Sequence, residues 1–472
     1  MDDGSGPVER HDVVVIGGGI AGLSATWRLR DRDVVLLEAS DRLGGRVRSE
    51  PYGDYWLNYG AHLFPAPGSL VDTMAREVEL EMVPVWGGMM GLAVGDTRLT
   101  SGRIESYPLR LPLSLRDKAA FAIKGLQIQR AVASYQRTAR PGPDDTPAMV
   151  RDRVLGFLDD RTFADFLGSM PAAVEGIFST ASHRATAELD EISAGGGIGL
   201  FALVWGGKKS LIARNLLGGT GRLPAALGTA LGDAARTHAR AEAIRPDGDG
   251  HVVEYLDHGS PRRVRARHVI VAAQAPFASG LIAQIAPAAS EALGRMSYGA
   301  FLSVAVATTE TTTMPWDDVY AMATPGRVFD MFTNQGHALR TPGPRRPGGS
   351  LMLFAGAQAA AALLTESDDT IVDRFVRDLV GLYPEARGIV GDARVQRWPM
   401  GNVYAKPGRQ RLQAKIEGPL GPLANIHLAG DYFAELGNLE MAARTGAAAA
   451  DRVASMLDSS GSPGSTPAEA VP

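Results

Sequence analysis

The stretch DVVVIGGGIAGLSA, from Asp12 to Ala25, decides how the rest of the chain is read. Asp12 to Ile16 form a continuous, mostly β-branched run, the pattern of a strand buried on both faces. Gly17, Gly19 and Gly22 then give G-x-G-x-x-G. The first glycine permits a tight turn, the second lets a phosphate approach the backbone, and the third lets a helix pack close to the strand. That helix is predicted from about Ile20 to Arg30, with its positive end toward a pyrophosphate. A second apolar run, DVVLLEA (Asp33 to Ala39), carries Glu38 about 20 residues past Gly17, where a carboxylate accepts from both ribose hydroxyls. Strand, turn, helix and acid together predict a dinucleotide-binding unit, and the acid disfavours a 2′-phosphate.

The chain has 472 residues, 45% of them hydrophobic, enough for two domains with cores of their own. A net charge of −4, from 48 basic and 52 acidic residues, excludes a nucleic-acid footprint. The densest basic run, PRRVRARH (Pro261 to His268), alternates with apolar residues and reads as a solvated strand face. With no cysteine, disulfides, thiol redox chemistry and thiolate metal sites are excluded, and the histidines lack ligand spacing, so no metal is expected. The first ten residues, MDDGSGPVER, are not those of a signal peptide. The longest apolar stretch, GGGIGLFALVWGG (Gly195 to Gly207), falls short of the roughly 20 residues that span a bilayer. No acid-ended strand follows it, so it reads as a glycine-rich loop leading into a short buried helix rather than a second nucleotide site. A soluble, cytoplasmic protein is expected, with a disordered tail over 459–472.

The segment after Glu38 extends the cofactor. ASDRLGGRVRS (Ala39 to Ser49) holds a second glycine pair, Gly44 and Gly45, followed by Arg46 and Arg48. A simple NAD unit does not need them; a cofactor with a pyrophosphate and a flavin tail uses them, with Arg46 supplying fixed charge. Near the other end, a short strand (Ile426 to Ala429) leads through Gly430 and Asp431 to an Ala-rich helix from about Leu439 to Leu457. The two ends of the chain are therefore expected side by side in one sheet.

These motifs, with ARHVIVAAQAP (Ala266 to Pro276) and GDYFAELGNLEMAARTG (Gly430 to Gly446), resemble the FAD-dependent amine oxidase superfamily, which includes monoamine and polyamine oxidases, protoporphyrinogen oxidases and phytoene-type desaturases. The resemblance implies an α/β fold in which a Rossmann-type FAD-binding domain carries an inserted α+β substrate-binding domain. The FAD domain would be assembled from 1–70, 215–285 and 420–458; the substrate domain from a helical part, 71–214, and a mixed-sheet part, 286–419. FAD would be held non-covalently by Gly17, Gly19, Ile20, Ala21, Gly22, Glu38, Ala39, Gly44, Gly45 and Arg46. Gly60, Ala61 and His62 would join them, with Gly430, Asp431, Asn438 and Leu439 from the C-terminal motif. Leu439 would offer its backbone N–H to the flavin at the positive start of the last helix.

On the substrate side the resemblance is imperfect. Amine oxidases of the superfamily place a water-holding lysine on a strand matching SYGAFLSVAVAT (Ser297 to Thr308), where Ser303 stands here. They also flank the substrate amine with two aromatic rings; the positions here hold Asn438 and Tyr404, the latter in RWPMGNVYAKPG (Arg397 to Gly408), which looks more like the porphyrinogen oxidase branch. His62, in NYGAHLFPAPG (Asn58 to Gly68), would donate to a flavin carbonyl or relay a proton. His62, Tyr404 and Asn438 are thus the catalytic candidates. The expected activity is FAD-dependent removal of a hydride equivalent at a C–N or C–C bond, passed to flavin N5 and on to oxygen. A redox-neutral mutase resembling UDP-galactopyranose mutase is the alternative. The partner expected is a small-molecule substrate, with no nucleic acid and no membrane span; a homodimer is left open.

Overall fold

The computed structural model describes residues 8–85, 91–205, 214–340, 345–417 and 425–461. The fold is α/β, built on two seven-stranded sheets. In the first, β1 (Glu9–Ile16) lies between β2 (Val34–Leu37) and the long strand Ser260–Val271, parallel to both. Val269–Val271 pair on their other side with Ile426–Leu428, so strands from both ends of the chain flank one central strand. Helix α1 (Ile20–Arg28) follows the glycine turn. The basic run lies on Ser260–Val271, whose first half pairs in an antiparallel meander with Gly250–Asp257 and Ala239–Asp247. There Arg265 meets Asp247 and Asp249 at the surface.

Alternation of large and absent side chains explains how the last helix (Leu439–Gly461) reaches the first. A Cβ at Gly446 would lie 2.0 Å from the Ala21 carbonyl oxygen, so the helices cross backbone to backbone. Ala443, Ala449, Ala450 and Val453 bury themselves around that crossing against Leu23 and Ala25. The helix continues past Asp458 to Gly461; the remainder of the expected tail, 462–472, lies outside the described residues.

The second sheet runs Val390–Tyr404, Ser297–Thr308, Gly349–Gly356, Met331–Asn334, Ala321–Ala323, Gly91–Val94, Thr97–Leu99. A helical layer packs beside it, led by Leu115–Thr138 and Ala194–Trp205, with ring contacts running from Phe121 to Phe178, Phe201 and Phe163 in turn. Here one expectation is corrected. Gly195–Gly199 form no loop; they begin the Ala194–Trp205 helix itself. The reason is packing: Cβ atoms at Gly195 and Gly197 would lie 1.9 Å from the Phe157 carbonyl oxygen and 2.3 Å from the Phe163 ring. Gly206 and Gly207 lie outside the described residues. Among the described residues no helix is long and apolar enough to cross a membrane, and no group of His, Asp or Glu could hold a metal ion.

Two glycine substitutions separate close approach from helix propensity. Gly446→Ala is expected to cost about 2 kcal/mol or more by pushing the helices apart. Gly125→Ala, where an added Cβ meets nothing within 4 Å, should gain roughly 0.5–1 kcal/mol. Denaturant unfolding of both variants checks the pair of signs.

Candidate cofactor and substrate site

The glycine turn is shaped as its chemistry requires. Gly17 adopts a φ of 105°, and a Cβ at Gly22 would lie 1.8 Å from the Gly17 carbonyl oxygen. At Gly19 a Cβ would meet nothing within 4 Å: the chain leaves open space there. Gly19 caps α1 without any side-chain acceptor, so the N–H groups starting at Ile20 and Ala21 have no capping side chain. At the end of β2, Glu38 is fixed: Oε2 accepts from the Gly18 N–H at 2.6 Å, and Oε1 from the Ser40 N–H and hydroxyl at 2.8 and 2.7 Å. Ala39 beside it is exposed. The second glycine turn lies against the first through the Gly44 N–H, which donates to Gly18 O at 2.8 Å; Gly45, at φ 55°, approaches Gly19. Open backbone, an uncapped helix start and a fixed carboxylate fit the dinucleotide end of FAD.

Arg46 joins the two ends of the chain. Its Nη2 donates to Asp431 Oδ1 at 2.9 Å and its Nη1 to Gly401 O at 3.3 Å. Its own carbonyl accepts from the Ala61 N–H at 3.1 Å, and a Cβ at Gly60 would lie 2.1 Å from that carbonyl. The guanidinium therefore has a protein counter-ion, and Asp431 holds it raised above its ordinary pKa despite burial. Gly430, next to Asp431, donates its N–H to Thr445 Oγ1 of the last helix at 3.0 Å.

The segment Tyr59–His62 is clamped between this turn and the second sheet. The Tyr59 carbonyl accepts from Ser303 Oγ at 2.7 Å and from the Trp398 indole N–H at 2.8 Å. Ser303 is fully buried, so its hydroxyl serves this contact and no amine reaches inward from that position. His62 is half-buried, with Tyr320 and Phe354 rings 6.1 and 6.3 Å away. Burial lowers its pKa to about 4, the nearby charge of Arg184 adds to this, and the imidazole is neutral at pH 7. Its Nδ1 lies 3.3 Å from Gly60 O, which can only accept; Nδ1 then carries the proton and Nε2 is left as an acceptor.

The remaining sequence-derived candidates have structural partners. Asn438 is exposed and caps the last helix: Oδ1 accepts from the Met441 N–H at 2.9 Å, and Nδ2 donates to Leu436 O. Leu439 begins that helix and packs on the first sheet's core. Tyr404 is 4% exposed within the helical layer's core, where burial and the neighbouring Glu191 raise its phenol above the ordinary range. It does not meet His62 in any ring contact among the described residues.

Sequence reading missed Glu435, three residues before Asn438. It is 9% exposed and accepts from the Tyr135 hydroxyl of the Leu115–Thr138 helix. Its other oxygen has no hydrogen-bond partner among the described residues. Burial pushes the carboxyl up to about 8 against the opposing effect of Tyr135. Gly199 makes room for it: a Cβ there would lie 2.4 Å from Glu435 Oε1.

Comparison with known proteins places the chain in a family and a fold. Residues 20–454 match the family model for flavin containing amine oxidoreductase. A coproporphyrinogen III oxidase from Mycobacterium tuberculosis is 26% identical over 460 residues, covering 90% of this chain and 93% of the relative. Cyclohexylamine oxidase from Brevibacterium oxydans superposes with a TM-score of 0.74 at 18% identity, over 95% of this chain and 99% of that one. Putrescine oxidase bound to putrescine gives a TM-score of 0.73 at 18% identity, over 95% and 100%. At these identities the two structures share the fold.

Glu435 makes stability depend on pH with an unusual sign. The folded chain keeps the proton to about pH 8, whereas the unfolded carboxyl releases it near 4.3, so rising pH favours unfolding between those values. Wild type is expected to lose up to roughly 5 kcal/mol across that window, and Glu435→Gln to flatten the slope. Denaturant midpoints against pH test this; an unchanged slope in the variant contradicts it.

Proposed function

The chain belongs to the flavin-containing amine oxidoreductase family and is an FAD-dependent oxidoreductase, and from that premise we propose that it removes a hydride equivalent from a C–N bond, or from a C–C bond next to nitrogen, in a small organic substrate. FAD, when bound, supplies the two-electron acceptor, with molecular oxygen receiving the electrons afterwards and yielding peroxide.

The observation that carries this reading is the clamp on Tyr59–His62. It ties the segment at once to Arg46, on the cofactor turn, and to Ser303 and Trp398, on the second sheet. His62 is thereby presented from the cofactor side with a neutral ring and an accepting Nε2, suited to receiving a hydrogen bond from the substrate or steadying a water there. Tyr320 and Phe354 give it an apolar wall. Ser303, committed to the Tyr59 carbonyl, supports a site that works without the lysine-held water of amine oxidases. That favours the porphyrinogen-oxidising side of the family, as does the relative that matches along nearly its whole length.

Anaerobic mixing of the flavin-loaded protein with cyclohexylamine, putrescine and coproporphyrinogen III tests the reading. At least one, with the porphyrinogen favoured, is expected to bleach the flavin's visible absorption, and air to restore it with peroxide formed. Protein that binds no flavin, or flavin that none of the three bleaches, overturns it. His62→Ala should lower kcat/KM about 100-fold with flavin content unchanged.

A further inference from the structure

A short turn in the helical layer places a cation beside this site. After the helix Ala172–Ser182, the residues His183–Ala185 form one 3-10 turn that ends at Thr186, which has a φ of 59°. The turn is seated directly on the second sheet. A Cβ at Gly356 would lie 2.0 Å from the His183 carbonyl oxygen, and one at Gly299 would lie 1.7 Å from the Thr186 carbonyl oxygen. The Thr186 hydroxyl donates to Asn402 O at 3.1 Å. His183 is anchored at both nitrogens, 2.7 Å from Asp330 and 3.1 Å from Glu188. Burial opposes its charge, but those two carboxylates outweigh it and hold the pKa near 10.

Arg184 is treated differently. Its neighbour has consumed both local carboxylates, and no hydrogen bond or ion pair reaches its guanidinium among the described residues. Arg184 is half-buried, and burial with no counter-charge pulls its pKa down to about 10, still charged at pH 7. It lies close enough to His62 for its charge to act on that ring. The strand that seats the turn at Gly356 also carries Phe354, which lines His62. A half-buried guanidinium without an anion is costly, and its planar fork pairs with a planar carboxylate through two parallel hydrogen bonds.

We propose that Arg184 anchors a carboxylate carried by the substrate, so that this site selects acid-bearing nitrogen compounds over simple amines. The assignment rests on His62 bordering the substrate site. The fixed turn would then hold the substrate's acid end in the helical layer while His62 faces the bond to be oxidised.

Benzoate and benzamide, alike in shape and different in charge, test this without turnover. Each is titrated into the flavin-loaded protein by calorimetry and by perturbation of the flavin spectrum. Wild type is expected to bind benzoate more tightly than benzamide. Arg184→Met should weaken benzoate by about 30-fold or more and leave benzamide unchanged. Arg184→Lys, which keeps charge and loses the fork, should fall between them. Arg184→Gln replaces the methionine variant if that one loses its flavin. Benzoate that binds wild type no better than benzamide, or that binds the neutral variants as tightly as wild type, overturns the proposal. Because no oxidation is required, a failure of the catalytic reading shows separately, in the anaerobic bleaching.

Discussion

The contact between Arg46 and Asp431 couples residues 385 positions apart, and the site is organised around it. One end of Arg46 reaches Asp431, on the loop that launches the last helix. Its backbone carbonyl receives the Ala61 N–H, on the segment that presents His62. The Arg46 side chain is 27% exposed and that of Asp431 10%, so the pair is screened less than a surface ion pair. Removing either partner leaves the other charge partly desolvated, which is the costly direction.

Around that node the protein arranges charge by layer. The cofactor layer offers uncapped N–H groups and a fixed carboxylate at the dinucleotide end. Between layers, His62 and Glu435 are both held neutral at pH 7 by burial, one as an imidazole and one as a carboxylic acid. Beyond them, the helical layer supplies His183, satisfied by two carboxylates, and Arg184, which no carboxylate reaches among the described residues.

The sequence made the cofactor half legible because its requirements are local. A glycine with positive φ, a helix without a cap and an acid at a strand end are consequences of neighbouring residues. The sheet's central pairings show in the same way, through the short, mainly apolar runs Val13–Ile16, Val269–Val271 and Ile426–Leu428 at the ends of their strands. The substrate half was opaque because its requirements are distant. Gly195 and Gly197 look like loop glycines until Phe157 and Phe163 are seen against them. Glu435 reads as a surface acid until Tyr135, 300 residues earlier, is found on it. Asn438 occupies a position where a ring was sought, and local helix capping explains it better. Spacing had no means to show that no carboxylate reaches Arg184 among the described residues.

The central claim is that Arg46 acts through Asp431 rather than as an independent charge. A double-mutant cycle on FAD binding tests it most directly, with dissociation constants for wild type, Arg46→Met, Asp431→Asn and the double variant. The account predicts a coupling of about 1–3 kcal/mol, the second substitution costing little once the first is made. Strictly additive losses would contradict it and place Arg46 on the cofactor phosphates alone.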